Sequence, residues 1–183
     1  MGRLGAGTLA ALLLALIFVT TAGAGTRTEP LLAPASACPG QSEPGAQYRV
    51  QVKAMRCLVN FARRGRGLPE LADSIPLDLA AAFKSADILR CDEFDHEACG
   101  RPFTYWMEQY GYLRGCTSAA ENIAWGTGAL GSPRAIFRAW MHSAGHRENI
   151  LGAYDDIGIG LRRGRLEGTS GAHVWTQNFG KRC

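Results

Sequence analysis

With 183 residues, the chain is long enough for one domain that buries a hydrophobic core of its own. Its formal net charge is +4, and arginine supplies most of the positive charge. Two short arginine-rich runs, 63–66 and 162–165, are interpreted as solvated turns. Nucleic-acid binding requires basic residues clustered along one element, so this function is not expected.

The N-terminal residues have the order of a secretory signal. Met1-Gly-Arg3 is short and basic, an apolar run extends from Leu9 to Val19, and Ala22-Gly23-Ala24 fits a signal peptidase site. We therefore predict a signal peptide over 1–24 and export of the mature chain, with an uncleaved membrane anchor as the alternative. The apolar run is shorter than the ~20 residues that cross a bilayer. Because no second run follows, the mature protein is not expected to be an integral membrane protein.

All six cysteines lie in the predicted mature part, and export would place them in an oxidising compartment. The even count and the absence of a Cys-x-x-Cys pair favour disulfides over a zinc site. The pairing that we favour joins Cys38 to Cys57, Cys91 to Cys99 and Cys116 to Cys183.

Residues 25–45 are rich in Pro, Ala, Gly and Ser, which predicts a flexible lead-in before a domain over 46–183. Apolar residues at three-to-four spacing predict helices over about 47–64, 77–90 and 102–111. A fourth helix has the clearest start, with Ser132 as the N-cap and Pro133 at the first helical position.

The C-terminal third changes to a period of two. Ile157, Ile159 and Leu161 alternate with Gly and Arg, and the segment from His173 to Phe179 alternates in the same way, which predicts two strands. The glycine-rich segment 164–171 between them predicts a hairpin with a loose loop. Helices followed by an antiparallel sheet indicate an α+β domain.

Three side chains suited to proton transfer or metal ligation occur along this pattern. His96 ends the polar loop that follows the second helix, and His146 follows the fourth helix. Glu121 lies two residues before an apolar pair, Ile123 and Ala124, where a charge is unusual unless it faces a cleft. Capping of a helix by Glu121 is the alternative.

These residues belong to four sequence blocks in a fixed order. The blocks are His96 after a helix, Glu121-Asn-Ile-Ala124, Trp140-Met-His-Ser-Ala-Gly-His-Arg-Glu-Asn-Ile-Leu151 and Trp175-Thr-Gln-Asn-Phe179. Together they resemble the CAP superfamily of cysteine-rich secretory, antigen-five and pathogenesis-related proteins, above all its bacterial secreted SCP-like domains. The resemblance covers about 50–180. It implies a three-layer α-β-α sandwich with a small antiparallel sheet and an open cleft, here with disulfide staples.

The resemblance also implies a cleft with two histidines and two acidic residues, which binds a divalent metal in some family members. His96, Glu121 and His146 match three of these positions and are the candidates for any catalytic role, while Ser143 replaces the second carboxylate. His96 and His146 are the candidate ligands for Zn²⁺ or another divalent cation, although a catalytic zinc usually has three protein ligands. The neighbouring residues that we expect to be structural are Asn122, Trp125, Trp140, Arg147, Asn149 and Trp175.

The favoured hypothesis is a secreted, monomeric binding domain whose ligand is a lipid or another cell-envelope component, as the resemblance implies. Two alternatives are a secreted hydrolase of cell-wall or peptide substrates and a structural exoprotein with a vestigial cleft. A zinc protease would place His142 and His146 on one helix face, but Ser143 stands where that motif has its glutamate. A serine nucleophile elbow is absent, and an even cysteine count leaves no free thiol as a nucleophile.

Overall fold

The computed structural model describes residues 1–2, 31–115 and 117–182, so almost all of the predicted signal peptide lies outside the described residues. Within that part of the chain, no helix combines the length and the apolar character needed to cross a membrane. The elements in chain order are α1 (Tyr48–Arg64), β1 (Ala72–Asp73), α2 (Ile75–Cys91), α3 (Tyr105–Gln109), β2 (Thr117–Thr127), α4 (Pro133–His142), α5 (Ala144–Leu151), β3 (Asp156–Leu166) and β4 (Thr169–Arg182), with short 3-10 helices at Ala98–Gly100 and Gly128–Gly131.

The helices that begin with clear local signals lie where the sequence predicts them. α1 and α2 agree with the predicted ranges to within about two residues, which is the usual uncertainty of helix ends, and α4 begins at Pro133 as predicted. At the start of α4, the Ser132 hydroxyl accepts a hydrogen bond from the amide of Ala135. α3 is shorter than predicted, because the residues before Tyr105 form a turn.

The four strands form one sheet in the order β1-β3-β4-β2. β3 and β4 form the predicted antiparallel hairpin, and β2 pairs antiparallel with the other edge of β4. The two-residue β1 pairs parallel with β3, so the sheet is mixed rather than wholly antiparallel. The predicted α+β class is confirmed.

Strand β2 was not predicted. Its register pairs Glu121 with Asn178 and Ala124 with Trp175 of β4. Ala120 and Ala124 pack into the core on one face of the sheet and Ile123 into a cluster on the other, so polar and apolar residues do not alternate along β2 as they do in a half-exposed strand. The period-two signal is therefore missing from its sequence.

Helices pack on both faces of the sheet. On one face, α1, α4 and α5 bury a core that includes Phe137, Trp140 and Trp175. The indole of Trp140 donates to the carbonyl of Ile123 (3.1 Å) and that of Trp175 to the carbonyl of Gly131 (2.9 Å), so both have the structural role expected of them.

The other face is covered by α2, which lies unusually close to β3. A Cβ atom on Gly158 would lie 2.1 Å from the carbonyl carbon of Leu77, so only glycine fits at this position. The same strand has Gly160 facing Ala81 in an equivalent contact. These glycines let the backbone of α2 rest directly on the sheet.

Two expectations about the polar segments are wrong. The hairpin has no loose loop, because β3 and β4 pair as far as Leu166 and Thr169, and a two-residue turn joins them. Glu167 and Gly168 both have positive φ (47° and 80°), as a tight type I′ turn requires. The arginine-rich run 162–165 accordingly lies within β3. In the other run, Arg63 is buried rather than solvated, because four carbonyl groups surround its guanidinium.

The described part of the lead-in, 31–45, packs against the domain instead of forming a flexible segment. Ala33 and Cys38 are fully buried, and Arg134 of α4 donates to the Ala33 carbonyl and the Gln41 side chain. Burial of these apolar residues outweighs the preference of a Pro- and Gly-rich segment for disorder. The lead-in is therefore part of the folded unit from residue 31 onward.

Two disulfides join the described cysteines. Cys38 of the lead-in bonds to Cys57 of α1, and Cys91 at the end of α2 bonds to Cys99. Both pairs are those predicted. The third predicted pair, Cys116 and Cys183, lies outside the described residues.

Candidate functional site

A buried carboxylate and a half-exposed imidazole form the centre of the candidate site. The Nδ1 atom of His96 lies 2.8 Å from Oε1 of Glu121. The Glu121 side chain is 1% exposed, whereas that of His96 is 50% exposed. The carboxylate thus forms the base of the site, and the ring of His96 lies between it and solvent.

The position of Glu121 follows from the geometry of β2. Successive side chains of a strand point to opposite faces, so Glu121 faces the α2 side of the sheet and Asn122 faces the α5 side. Because β2 is an edge strand, the loop after α2 and the helix α5 can meet across this edge. Three segments distant in the sequence therefore contribute to one site.

His146 is brought to the same edge by a set of amide hydrogen bonds. The side chain of Asn122 donates to the backbone carbonyl of His146 (3.1 Å), and that of Asn149 donates to Asn122 Oδ1 (2.9 Å) and the Glu121 carbonyl (3.4 Å). These bonds tie α5 to β2. The nearby Arg147 donates to the carbonyl of Met141 (2.8 Å), so it and Asn149 have the expected structural role.

The two histidines interact electrostatically. Burial, and then the charge on a protonated His96, lower the pKa of His146 below its ordinary value. The neutral form of His146 is therefore favoured near neutral pH. The structure thus places His96 in contact with Glu121, and His146 close enough to His96 for the charge of one ring to affect the other.

Lys84 of α2 is a further residue of the candidate site, and the sequence did not predict it. It is 2% exposed, and its ammonium donates to the backbone carbonyl of His96. Its positive charge also acts on Glu121. The signal that could have found it was helical periodicity, because Lys84 follows Ala80 and precedes Ile88 at four-residue spacing on the buried face of α2.

The environment of Glu121 has opposing effects on its ionisation. Burial raises the pKa of Glu121, while the hydrogen bond to His96 and the charge of Lys84 act in the opposite direction. Its second oxygen, Oε2, is buried without a hydrogen-bond partner, as is Oδ1 of Asn178. Glu121 and Asn178 are directly opposite each other on adjacent strands. The carboxylate therefore has unused hydrogen-bonding capacity.

The residues present do not provide a three-ligand metal site. In 31–115 and 117–182, no three His, Cys, Asp or Glu side chains are placed to hold one ion together. Glu121 uses one oxygen for His96, and Ser143 offers a hydroxyl where a second carboxylate would be needed. Catalytic zinc normally has three protein ligands. The described residues at this site therefore do not fit a catalytic zinc ion.

The remaining histidines lie apart from the trio. Ser143 has extended backbone (φ −91°, ψ 127°) and separates α4 from α5, so His142 and His146 do not share one helix as a zinc-protease motif requires. His142 is exposed at the end of α4. His173 is largely buried in β4, and its Nδ1 atom lies 3.3 Å from the Gly131 carbonyl oxygen.

Solved structures of bacterial extracellular and surface proteins share this fold. An outer surface protein of Borrelia burgdorferi superposes with a TM-score of 0.62 at 19% identity, over 75% of this chain and 97% of that protein. An extracellular SCP-domain protein of Bacillus anthracis gives a TM-score of 0.57 at 21% identity, over 75% of this chain and 44% of that one. A cysteine-rich secretory protein of Staphylococcus aureus gives a TM-score of 0.56 at 19% identity, over 76% of this chain and 41% of that one.

Sequence comparison gives the same relationship. The uncharacterized protein YkwD of Bacillus subtilis is 34% identical over 125 residues, which are 67% of this chain but only 44% of that protein. Residues 57–179 match the family model described as CAP, the cysteine-rich secretory protein family. This match covers more than half of the chain and includes His96, Glu121 and His146. The chain therefore belongs to the CAP family.

Proposed function

We propose that this chain is an exported CAP domain that binds a polar group of a cell-envelope lipid or glycan at His96, Glu121 and His146. Export is supported by the predicted signal sequence and by two disulfides, which persist in oxidising compartments. The extracellular or surface character of the related structures also supports it. The single observation that carries the binding proposal is the contact between His96 and Glu121.

This contact sets the hydrogen-bonding character of His96. A carboxylate next to Nδ1 favours the tautomer that has its proton on Nδ1, because the carboxylate accepts that hydrogen bond. The other ring nitrogen, Nε2, is then an acceptor on a half-exposed ring. A hydroxyl group of a sugar or a lipid headgroup is a suitable donor to it.

His146 supplies a second imidazole of different character. Its lowered pKa keeps the ring neutral, so one nitrogen donates and the other accepts. A pair of imidazoles that offers both acceptors and a donor suits a ligand with several hydroxyl or phosphate oxygens. Such groups are frequent in envelope glycans and lipid headgroups.

The test uses histidine-selective NMR on the exported form of the chain. Phosphatidylglycerol vesicles, soluble peptidoglycan fragments and Zn²⁺ are each titrated while the ring signals of all four histidines are followed. We expect one of the two envelope probes to shift the signals of His96 and His146 and not that of His142, and H96Q or E121Q to weaken the binding at least about tenfold. H142Q is the matched control because it removes an exposed imidazole outside the site.

Three outcomes would count against the proposal. If no probe shifts the His96 and His146 signals, the site is vestigial and the structural hypothesis replaces the binding hypothesis. If H142Q weakens binding as much as H96Q does, the site has been misplaced. If Zn²⁺ alone binds, and does so through His96 and His146, the metal hypothesis from the sequence replaces the envelope ligand.

Hydrolysis is a second candidate function, which the same contact favours. An imidazole oriented by a buried carboxylate is the arrangement of a general base, and water would be the nucleophile. Peptidoglycan and peptide substrates would show turnover that E121Q abolishes. Turnover that survives E121Q would contradict this assignment.

A further inference from the structure

The solvent-facing side of α2 is apolar, which is unusual for a helix at the surface. Ile75, Leu79 and Phe83 are 75%, 40% and 39% exposed, and Arg90 is the one other exposed residue of this helix. A surface helix normally presents polar side chains to water and apolar side chains to the core. We call Ile75, Leu79 and Phe83 the α2 stripe.

Two charged residues of the same helix are buried instead. Lys84 and Asp87 are 2% and 3% exposed, because Lys84 donates to the carbonyl of His96 and Asp87 accepts hydrogen bonds from Arg101. The usual distribution of charged and apolar side chains is thus reversed on α2. Apolar residues on all sides are typical of a helix that is covered on all sides.

Aromatic rings next to α2 widen the apolar surface. The ring centroid of Phe83 lies 4.7 Å from that of Trp106 and 5.5 Å from that of Tyr110. Both of these rings belong to partly exposed residues. The α2 stripe is therefore continuous with a patch of large aromatic side chains, which are enriched where proteins contact each other.

The spacing of the α2 stripe matches that of a second α2 helix. Its members are four residues apart, which places them about 6 Å apart along the helix axis. Rows of this spacing on two helices pack between each other. A second copy of the chain carries the same row, and two copies related by a two-fold axis would each cover the row of the other.

Oppositely charged residues lie at the two ends of the α2 stripe. The Arg90 side chain is 57% exposed beyond the C-terminal end, and the Asp73 side chain is 65% exposed before the N-terminal end. Each has a partner in its own chain, since Arg90 donates to Asp87 (2.9 Å) and Arg56 Nε lies 3.0 Å from Asp73. Both nevertheless remain accessible to a second molecule.

These charges are complementary only when the two helices run in opposite directions. If Leu79 of one copy packs against Phe83 of the other in an antiparallel pair, Arg90 of each copy is about level with Asp73 of the other. A parallel pair would instead bring two arginines together at one end and two aspartates at the other. Like charges opposite each other disfavour that arrangement.

We propose that the α2 stripe is the interface of a two-fold dimer in which the α2 helices of two copies pack antiparallel. The apolar contact supplies most of the affinity. The pairs of Arg90 with Asp73 select the orientation, because exposed ion pairs contribute little energy. The surface is small, so the dimer is weak and forms at high protein concentration. The proposal replaces the monomer expected from the sequence and does not depend on the function of the histidine site.

Sedimentation velocity of the exported form of the chain tests the dimer. We expect the average sedimentation coefficient to rise towards that of a dimer between about 10 µM and about 1 mM protein. I75E and L79E should each raise the dissociation constant at least about tenfold, because two charges then enter the apolar interface. I75E is the variant that least affects folding, since Ile75 is 75% exposed.

L130E is the matched control for these variants. Leu130 is 71% exposed but lies in the 3-10 helix Gly128–Gly131, outside the α2 stripe. We expect L130E to change the dissociation constant less than about twofold. H96Q should dimerise like the wild type, which separates this test from that of the histidine site. Circular dichroism confirms that each variant is folded.

Reversed charges test the antiparallel orientation. R90E and D73R should each weaken their own dimer about threefold to tenfold, because like charges then meet at both ends. A mixture of R90E with D73R should dimerise like the wild type, since Glu meets Arg at one end of the mixed pair and Arg90 meets Asp73 at the other. Failure of the mixture to recover affinity would contradict the antiparallel arrangement.

Three results would overturn the dimer itself. The first is a monomer over the whole concentration range. The second is equal weakening by I75E and L130E, which would place the contact elsewhere or make it non-specific. The third is binding to phosphatidylcholine vesicles that I75E abolishes, without any dimer, which would show that a lipid surface covers the α2 stripe.

Discussion

Replacement of Arg63 by methionine tests how the domain holds α5, and therefore His146, in place. Arg63 is 1% exposed, and its guanidinium donates to the carbonyls of Ile150 (2.9 Å) and Gly152 (2.8 Å) at the C-terminal end of α5. It also donates to the carbonyl of Pro69 (2.8 Å). A cation in this position satisfies carbonyls that have no partner inside the helix and complements the helix dipole.

The expected loss of stability follows from these contacts. Hydrogen bonds to a charged group contribute ~1.5–3 kcal/mol each, but only the bond to Ile150 is fully buried. Burial of the guanidinium lowers the pKa of Arg63, so keeping its charge inside the protein carries a cost that R63M removes. We expect R63M to lower the free energy of unfolding by about 2–4 kcal/mol.

Urea-induced unfolding measures this change, and amide hydrogen exchange locates it. R64M is the matched control, because Arg64 is 52% exposed and its pairing with Glu70 should contribute no more than about 1 kcal/mol. Amides of α5 should exchange faster in R63M than in R64M. A loss in R63M of less than about 1 kcal/mol, with unchanged exchange in α5, would refute the reasoning.

Three further predictions concern packing, protonation and cross-linking. Gly158→Ala should destabilise the domain by about 2 kcal/mol or more in thermal unfolding, because the new methyl group meets the backbone of α2. Gly164→Ala is the control and should cost much less, because its methyl group would meet only the movable side chain of Leu89, at 3.1 Å. Equal effects of the two substitutions would contradict the close packing of α2 on β3. The pKa of His146 is lower in the folded state than in the unfolded state, where it is about 6.5, so folding favours the neutral imidazole. The stability that His146 contributes is therefore fully present above about pH 6.5 and is lost as the pH falls through the lower pKa of the folded state. H146Q should therefore lose less stability than the wild type on acidification, and parallel curves would speak against this assignment. Joint replacement of Cys38 and Cys57 by alanine should lower the unfolding free energy by about 3 kcal/mol, given their separation of 19 residues, and a change near zero would show that burial alone holds the lead-in.

The features that the sequence predicted correctly depend on local signals. Ser132 and Pro133 determine where α4 begins through their own backbone preferences and a hydrogen bond within one turn. The alternating residues of β3 indicate a strand because Ile157, Ile159 and Leu161 face one core, while the glycines between them leave room for α2 on the other face. His96, Glu121 and His146 were recognised from their sequence blocks, although nothing in the sequence gives the distances between them.

Other features exist only because distant segments pack together. β2 lacks a strand pattern, and its pairing with β4 decides its conformation. Lys84 and Arg63 look like surface residues in the sequence, but both are buried in the fold. The loop after α2 supplies the carbonyl partner of Lys84, and α5 supplies a carbonyl partner of Arg63. Burial is a property of the whole fold, whereas caps and periodicity act within a few residues. The sequence by itself therefore determined α1, α2, the start of α4 and the hairpin, and it named the candidate site residues, while the tertiary structure alone decided which charges are buried and what they contact.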